Sequence, residues 1–260
     1  MSRPPLFRWT VGNVSDAGLD VLEESVRMAK ENLAQYGFDW VICHNSLPDE
    51  KLARLKQLNT NLFQQSWNRL PINQVESEEL NQRVINAIWK VCPARLRPQS
   101  HEIIVDNDLV LRRPFPQLDI FLNSNSLLLL QDPLRFYGTY DGAVSSELQL
   151  NSGLIGLPPG YDFGGAIRNE WDHCGQLGVW NLEDEQGLLA ATLSKSRLPK
   201  VWVPKDVVVE LHPNGIWHSW DDAFKNLHYE FTGKEAGLHF VEINRKPNHL
   251  PWQEYRTKYV

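Results

Sequence analysis

Strand-patterned and helix-patterned segments alternate along the first half of this sequence, and that alternation restricts the fold more than any other feature. Leu6 to Val11 reads as a short strand, and Asn13-Val14-Ser15-Asp16 as a turn and helix start. Apolar residues then recur at helical spacing through Leu19, Leu22, Val26, Ala29 and Leu33. Gly37 ends that helix, and Trp40-Val41-Ile42-Cys43 is a compact buried strand. Pro48-Asp49-Glu50 opens a second helix through Leu52, Leu55 and Leu58, and Ser77 to Trp89 is a third amphipathic helix with Ser77 as N-cap. Glu102-Ile103-Ile104-Val105 follows as a strand that runs straight into Asp106-Asn107-Asp108. The pattern predicts an α/β fold, a mostly parallel sheet flanked by helices, in which ligands gather at the carboxyl ends of the strands. The second half is mixed. Leu127 to Leu130, Gly138-Thr139-Tyr140 and Ser152 to Leu157 read as strands, helices start near Phe163 and Leu182, and Val207-Val208-Val209 and Leu238-His239-Phe240 are strand-like. No repeat or Gly/Ser linker divides the chain, so a single domain is expected over residues 1–260.

With 260 residues, 42% of them hydrophobic, the chain buries a substantial core without needing a disulfide or a metal to fold. A net charge of -6 and a pI near 5.8 argue against nucleic acid or an anionic membrane as the main partner. The three cysteines, Cys43, Cys92 and Cys174, are scattered and form no CxxC pair, which suits buried thiols in a reducing compartment. The start of the chain has no apolar h-region, and the longest aliphatic stretch, Leu127 to Leu130, is too short to span a bilayer. A cytoplasmic protein without a transmembrane segment is expected. The ten tryptophans suit core anchoring, and flat aromatic faces also receive sugar rings. Trp217 and Trp220 are candidates for such a pocket.

Two readings of Asp106-Asn107-Asp108 stand on the residues themselves. On an extended chain the two carboxylates share a face while Asn107 points away, and beside a buried strand a divalent cation relieves their cost. Hard oxygen ligands with room for water and phosphate suit Mg²⁺ or Mn²⁺. The alternative is a hairpin turn between two apolar strands. His239 is a reasonable third ligand or a hydrogen-bonded histidine, and Arg245 and Lys246 are phosphate-neutralising cations or a solvated turn before Pro247. Asn151-Ser152-Gly153 is a polar strand segment, where Gly153 lets backbone approach a ligand, or a β-turn.

Taken in order, these segments resemble the GT-A glycosyltransferase fold of the nucleotide-diphospho-sugar transferases, a Rossmann-like α/β unit. Asp106-Asn107-Asp108 looks like its DxD metal motif and Asn151-Ser152-Gly153-Leu154-Ile155-Gly156 like its Asn-Ser-Gly strand. Glu183-Asp184-Glu185-Gln186-Gly187 is similar to its acidic-Gln helix start, and His239-Phe240 with Lys246-Pro247 looks like the late His and Lys-Pro segment of glycogenin-like families. Those families have a glycine two residues after the His-aromatic pair, where this chain has Glu242. The resemblance implies a nucleotide-binding half over residues 1–115, an acceptor side over 116–260, a UDP- or GDP-linked sugar donor, and a carbohydrate or other hydroxyl acceptor. It also implies roles: Asp106 on ribose or metal, Asp108 and His239 on Mn²⁺ or Mg²⁺, Asn107, Asn151 and Gly153 on the donor, and Lys246 on the leaving diphosphate. If transfer inverts, a base is needed for the acceptor hydroxyl, and Asp184 and Glu185 are the candidates. Asp184 equally suits a first-turn acid on a helix capped by Asn181. A non-catalytic nucleotide-sugar or carbohydrate-binding protein on the same fold is the alternative function.

Overall fold

The computed structural model describes residues 3–12, 14–45, 47–65, 94–174 and 182–260. The helix expected from Ser77 to Trp89, Cys92 and the candidate cap Asn181 lie outside the described residues. The central sheet has seven strands. These are β1 (Leu6–Val11), β2 (Asp39–His44), β3 (Asn61–Gln64), β4 (Glu102–Asp106), β6 (Leu127–Gln131), β7 (Leu150–Leu157) and β8 (Lys200–Val203), in the order β3-β2-β1-β4-β7-β6-β8. Every neighbouring pair is parallel except those of β7, which runs antiparallel to both β4 and β6. The sheet is therefore mostly parallel, as the alternation predicts, and strands from both halves of the chain share it.

Strand alternation gives the sheet two buried faces. Ile103 and Val105 of β4 pack with Leu19, Leu22 and Val26 of α1 (Asp16–Asn32) and Phe121 of α3 (Pro116–Leu122). Ile104, between them, packs on the opposite face with Phe163 and Ile167 of α4 (Phe163–His173) and Leu188 and Leu189 of α5 (Leu182–Ser194). Ser15 caps α1 by accepting from the Gly18 N–H, and α2 (Asp49–Lys56) begins where Pro48-Asp49-Glu50 predicts it. The first helix stops at Asn32 rather than at Gly37. A short 3-10 turn (Ala34–Tyr36) follows, and Gly37 closes that turn with φ 62°.

A second sheet, of order β5-β10-β9, is built from β5 (Leu109–Leu111), β9 (Val208–Leu211) and β10 (Gly237–Phe240). Its own core joins Val110, Leu238 and Phe240 to Trp252 and Tyr255 of α6 (Leu250–Tyr259). Among the described residues, no helix is long and apolar enough to cross a membrane. Cys43 and Cys174 are free thiols.

One strand expectation fails. Gly138-Thr139-Tyr140 begins a 3-10 turn (Gly138–Ala143), not a strand. Gly138 is left-handed at φ 51°, and Thr139 gives both its backbone N–H (2.7 Å) and its hydroxyl (2.9 Å) to the Asp184 carboxylate, so this backbone bonds to a side chain instead of a neighbouring strand.

Candidate active site

Asp106 ends β4, at the carboxyl end of the parallel strands, and Asp108 immediately precedes β5. A hairpin would require β4 and β5 to pair, but β4 lies between β1 and β7 while β5 pairs with β10 in the other sheet. Asp106-Asn107-Asp108 is thus the corner where the chain passes from one sheet to the other. The neighbour of β5 carries His239, which is in register with Leu109. This brings three possible metal ligands from Asp106, Asp108 and His239 within 4.8 Å of one another.

His239 Nε2 lies 3.2 Å from Asp108 Oδ1 and 3.8 Å from Asp106 Oδ2. Burial by itself pulls the imidazolium down, but the Asp108 charge and hydrogen bond, with Asp106 and Glu210 beside them, lift its pKa to about 9. A Cβ on Gly153 would come within 2.6 Å of His239 Cε1 and 2.8 Å of Asn151 Oδ1, so this glycine makes room for the histidine.

The three groups open onto a cleft of about 860 Å³ that also contains Asn107, Asn151, Ser152, Glu185 and Gln186. Around Asn151 lies a buried polar network. Its Nδ2 donates to Glu210 Oε2 at 2.7 Å and to Asp132 Oδ2 at 3.4 Å, and its Oδ1 accepts from the Gly153 N–H at 2.7 Å. Gln186 Nε2 donates to Asp132 at 2.8 Å, while its carbonyl accepts from the Ser152 N–H at 3.1 Å, so the start of α5 is tied to β6 and β7 together. Burial, and then the Glu210 charge, hold the Asp132 carboxyl well above its ordinary range. The Ser152 hydroxyl is 3.4 Å from Glu185 Oε2.

Two expected residues stand apart. Asp184 is fully buried, carries the Thr139 bonds described above, and is absent from the cleft wall that its neighbours Glu183 and Glu185 form. Lys246 is half-exposed and pairs with Glu242 at 2.9 Å, whereas Arg245 reaches the wall. Among the described residues, Arg245 is the only lysine or arginine on that wall, which carboxylates dominate. Glu242, in the position the glycogenin-like pattern gives to glycine, has φ 66°. Asp132, Glu210, His212 and Asn244 were given no role by the sequence, and Gln186 stood there only as part of the acidic-Gln helix start. Asp132 carries the same signal as Asp106, an acid directly after a buried strand. Glu210 and His212 are two apart along an extended segment and so share a face.

The sequence matches no protein-family profile and no curated protein. Solved structures do match. The galactosyltransferase LgtC, in complex with donor and acceptor sugar analogues, is 9% identical with a TM-score of 0.56, over 97% of this chain and 94% of that one. The glycosyltransferase GlyE of Streptococcus pneumoniae TIGR4 is 10% identical with a TM-score of 0.56, over 96% of this chain and 59% of that one. The bifunctional glycosyltransferase WbbM is 12% identical with a TM-score of 0.57, over 94% of this chain and 46% of that one. Identities this low carry the fold and nothing finer: this chain has the GT-A glycosyltransferase fold.

Proposed function

We propose that this chain is one GT-A unit that moves a sugar from a nucleotide-diphosphate donor to a hydroxyl of a carbohydrate or similar acceptor, with Mn²⁺ or Mg²⁺ bound by Asp106, Asp108 and His239. The observation that carries the reading is the convergence of those three side chains at the sheet corner, on the wall of the cleft. The donor set fits a small divalent ion: two carboxylate oxygens and an imidazole, all close enough to share one centre, beside open cleft volume for water or phosphate. Such an ion neutralises the charge that builds on the departing diphosphate.

Around that centre the residues divide the work. Asn107 and Asn151 line the donor side, and Gly153 keeps the imidazole seated. The Asn151 amide is held in one orientation by Glu210 and the Gly153 N–H, which leaves a rigid surface against which a sugar is positioned. Arg245 is the wall cation placed to meet the diphosphate, while Lys246 serves only on leaving Glu242. Glu185 remains the candidate base for an inverting course. Asp184 serves the fold by holding the Thr139 turn against α5. The GT-A neighbour solved with donor and acceptor sugar analogues supports a donor and an acceptor in one cleft.

The test is thermal unfolding with UDP and with GDP, each with and without Mn²⁺, followed by donor hydrolysis. A nucleotide bound at a hundredfold excess over its Kd stabilises by about 2.7 kcal/mol. For a chain of this size that is roughly 5–10 °C. Asp108→Ala abolishes the metal-dependent part. No shift with either nucleotide in the presence of metal overturns the reading. Binding without hydrolysis or transfer leaves the binding-protein alternative in its place.

A further inference from the structure

Beyond the metal corner, the second sheet continues its face outward. His239 of β10 is in register with Glu210 of β9, and His212 follows two residues later. His212 Nε2 lies 2.7 Å from Glu210 Oε1, and its ring stacks on Trp217 with centroids 3.6 Å apart and planes 6° from parallel. A carboxylate oxygen only accepts, so Nε2 is the donor in this pair. His212 is 3% exposed, yet Nδ1 has no hydrogen-bond partner among the described residues, and neither has the buried indole N–H of Trp217. One stacked plate therefore holds two unspent polar nitrogens, Nδ1 of His212 and the indole N–H of Trp217. A hydroxyl group meets both needs, and a pyranose brings several hydroxyls together with an apolar face for the indole.

A second cavity, of about 340 Å³, lies next to this plate and is also lined by Ile216 and Tyr229. It shares Glu210 and Trp217 with the main cleft, so these two side chains stand between the cavities. Its volume falls within the range of about 300–1,000 Å³ that small-molecule sites occupy. We infer that Trp217 and His212 form a sugar-binding plate, and that the acceptor is a glycan of at least two rings: one ring lies on the plate and the next enters the second cavity. Placing the acceptor here rests on the glycosyl-transfer reading, but the binding itself is measured without turnover.

An array of neutral mono-, di- and trisaccharides probed in the presence of Mn²⁺ and UDP, with titration of the glycans retained, tests the inference. Glycans of two or more rings are expected to bind at least tenfold more tightly than their constituent monosaccharides. His212→Gln keeps an amide nitrogen near the Nε2 position and has nothing in place of Nδ1. Trp217→Phe keeps an aromatic face and removes the N–H. Each is expected to weaken the disaccharide at least tenfold and to erase its advantage over the monosaccharide. Should Trp217→Phe fail to fold, His212→Gln decides alone. The inference is overturned if the wild-type chain retains no glycan, if monosaccharides bind as tightly, or if the folded variants bind at wild-type strength. A wild-type chain that binds disaccharides but shows no nucleotide-dependent shift overturns the transfer reading and leaves this inference intact.

Discussion

Strand β4 carries a carboxylate at each end, and the chain treats the two in opposite ways. At the amino end, Glu102 is fully buried and meets fixed partners. Arg8 Nε is 2.7 Å away, Arg95 Nε is 3.4 Å away, and the backbone N–H groups of Leu96 (3.0 Å) and Arg97 (2.9 Å) complete its oxygens. At the carboxyl end, Asp106 stands with Asp108 around the imidazole of His239. Arginine stays charged at every pH the fold survives, whereas an imidazole gives up its proton to a competing cation. The first arrangement serves only to hold structure. The second holds negative charge in a form that an exchangeable cation completes.

The largest effect that tests this contrast comes from Glu102→Gln. It leaves Arg8 buried without its counter-charge, and breaking a buried pair in this way costs about 3–5 kcal/mol. Urea unfolding measures the loss, and Mn²⁺ does not restore it. Asp108→Asn takes away the nearer of the two charges that His239 faces, but Asp106 stays opposite the imidazole and the ring is free to give up its proton. The substitution is expected to cost less than Glu102→Gln. It abolishes stabilisation by Mn²⁺. If the two substitutions cost the same, the contrast between the ends of β4 is broken.

A second contrast lies between two buried histidines, and pH separates them. His239 is lifted by the carboxylates it faces, whereas burial drives His249 down to about 4. The hydrogen bonds fix where its single proton sits, although those to the two backbone carbonyls pull the pKa the other way. His249 Nε2 is 3.1 Å from the carbonyl oxygens of both Leu211 and Val241, so it must carry the proton, and Nδ1 accepts from the Trp252 N–H at the start of α6. No lone pair is left for a second proton. In the unfolded chain the same imidazole titrates near 6.5. Above that pH both states are neutral and His249 imposes no pH dependence. As pH falls from about 6.5 toward 4, the unfolded chain takes a proton that the folded chain refuses, and stability drops by on the order of 3 kcal/mol. His249→Asn, which retains a capping side chain, is expected to flatten the wild-type decline between pH 7 and pH 4.5 in urea unfolding. An unchanged decline places the acid sensitivity elsewhere.

These contrasts also show what a sequence discloses and what it hides. The segments of β1, α1, β2, α2 and β4 were legible because each has its own local pattern of apolar residues and breakers, whereas the four residues of β3 are too few to show one. The corner triplet and His239 were legible because their order along the chain resembles a known arrangement. Asp132, Glu210 and His212 carry no such mark. Asp132 and Glu210 take their meaning from Asn151, 19 and 59 residues away, which no local spacing encodes, and His212 takes its own from the stack on Trp217. The same limit explains the misplaced neighbours. Asp184 and Glu185 are adjacent on one helix, yet one faces Thr139 and the other the cleft, and only the docking of α5 decides which. Arg245 and Lys246 are likewise adjacent, and the turn at Glu242 settles which of them reaches the wall. Gly138-Thr139-Tyr140 has strand-favouring residues, but a carboxylate distant in sequence takes its backbone N–H.

Glu242 offers the smallest and sharpest test, because it sets a strained carboxylate at the site end of the molecule against the relaxed one at Glu102. Its φ of 66° is left-handed, a conformation that costs a residue with a Cβ about 1–2 kcal/mol. Glu242→Gly removes that strain. Against the gain stand the extra freedom of glycine in the unfolded chain, about 0.4–1 kcal/mol, and the loss of the half-exposed pair with Lys246, worth about 0–1 kcal/mol. The terms nearly cancel, so urea unfolding is expected to show a change within about 1 kcal/mol of wild type. The binding consequence has a definite sign. Glu242 lies on the wall beside Arg245, so its removal takes a negative charge away from where the proposed diphosphate sits and frees Lys246. Nucleotide affinity in the presence of Mn²⁺ is expected to rise several-fold, and to rise less as salt is added. A fall in affinity would show instead that the strained conformation is itself what shapes the wall, and that Glu242 belongs with the fixed carboxylates rather than with the exchangeable site.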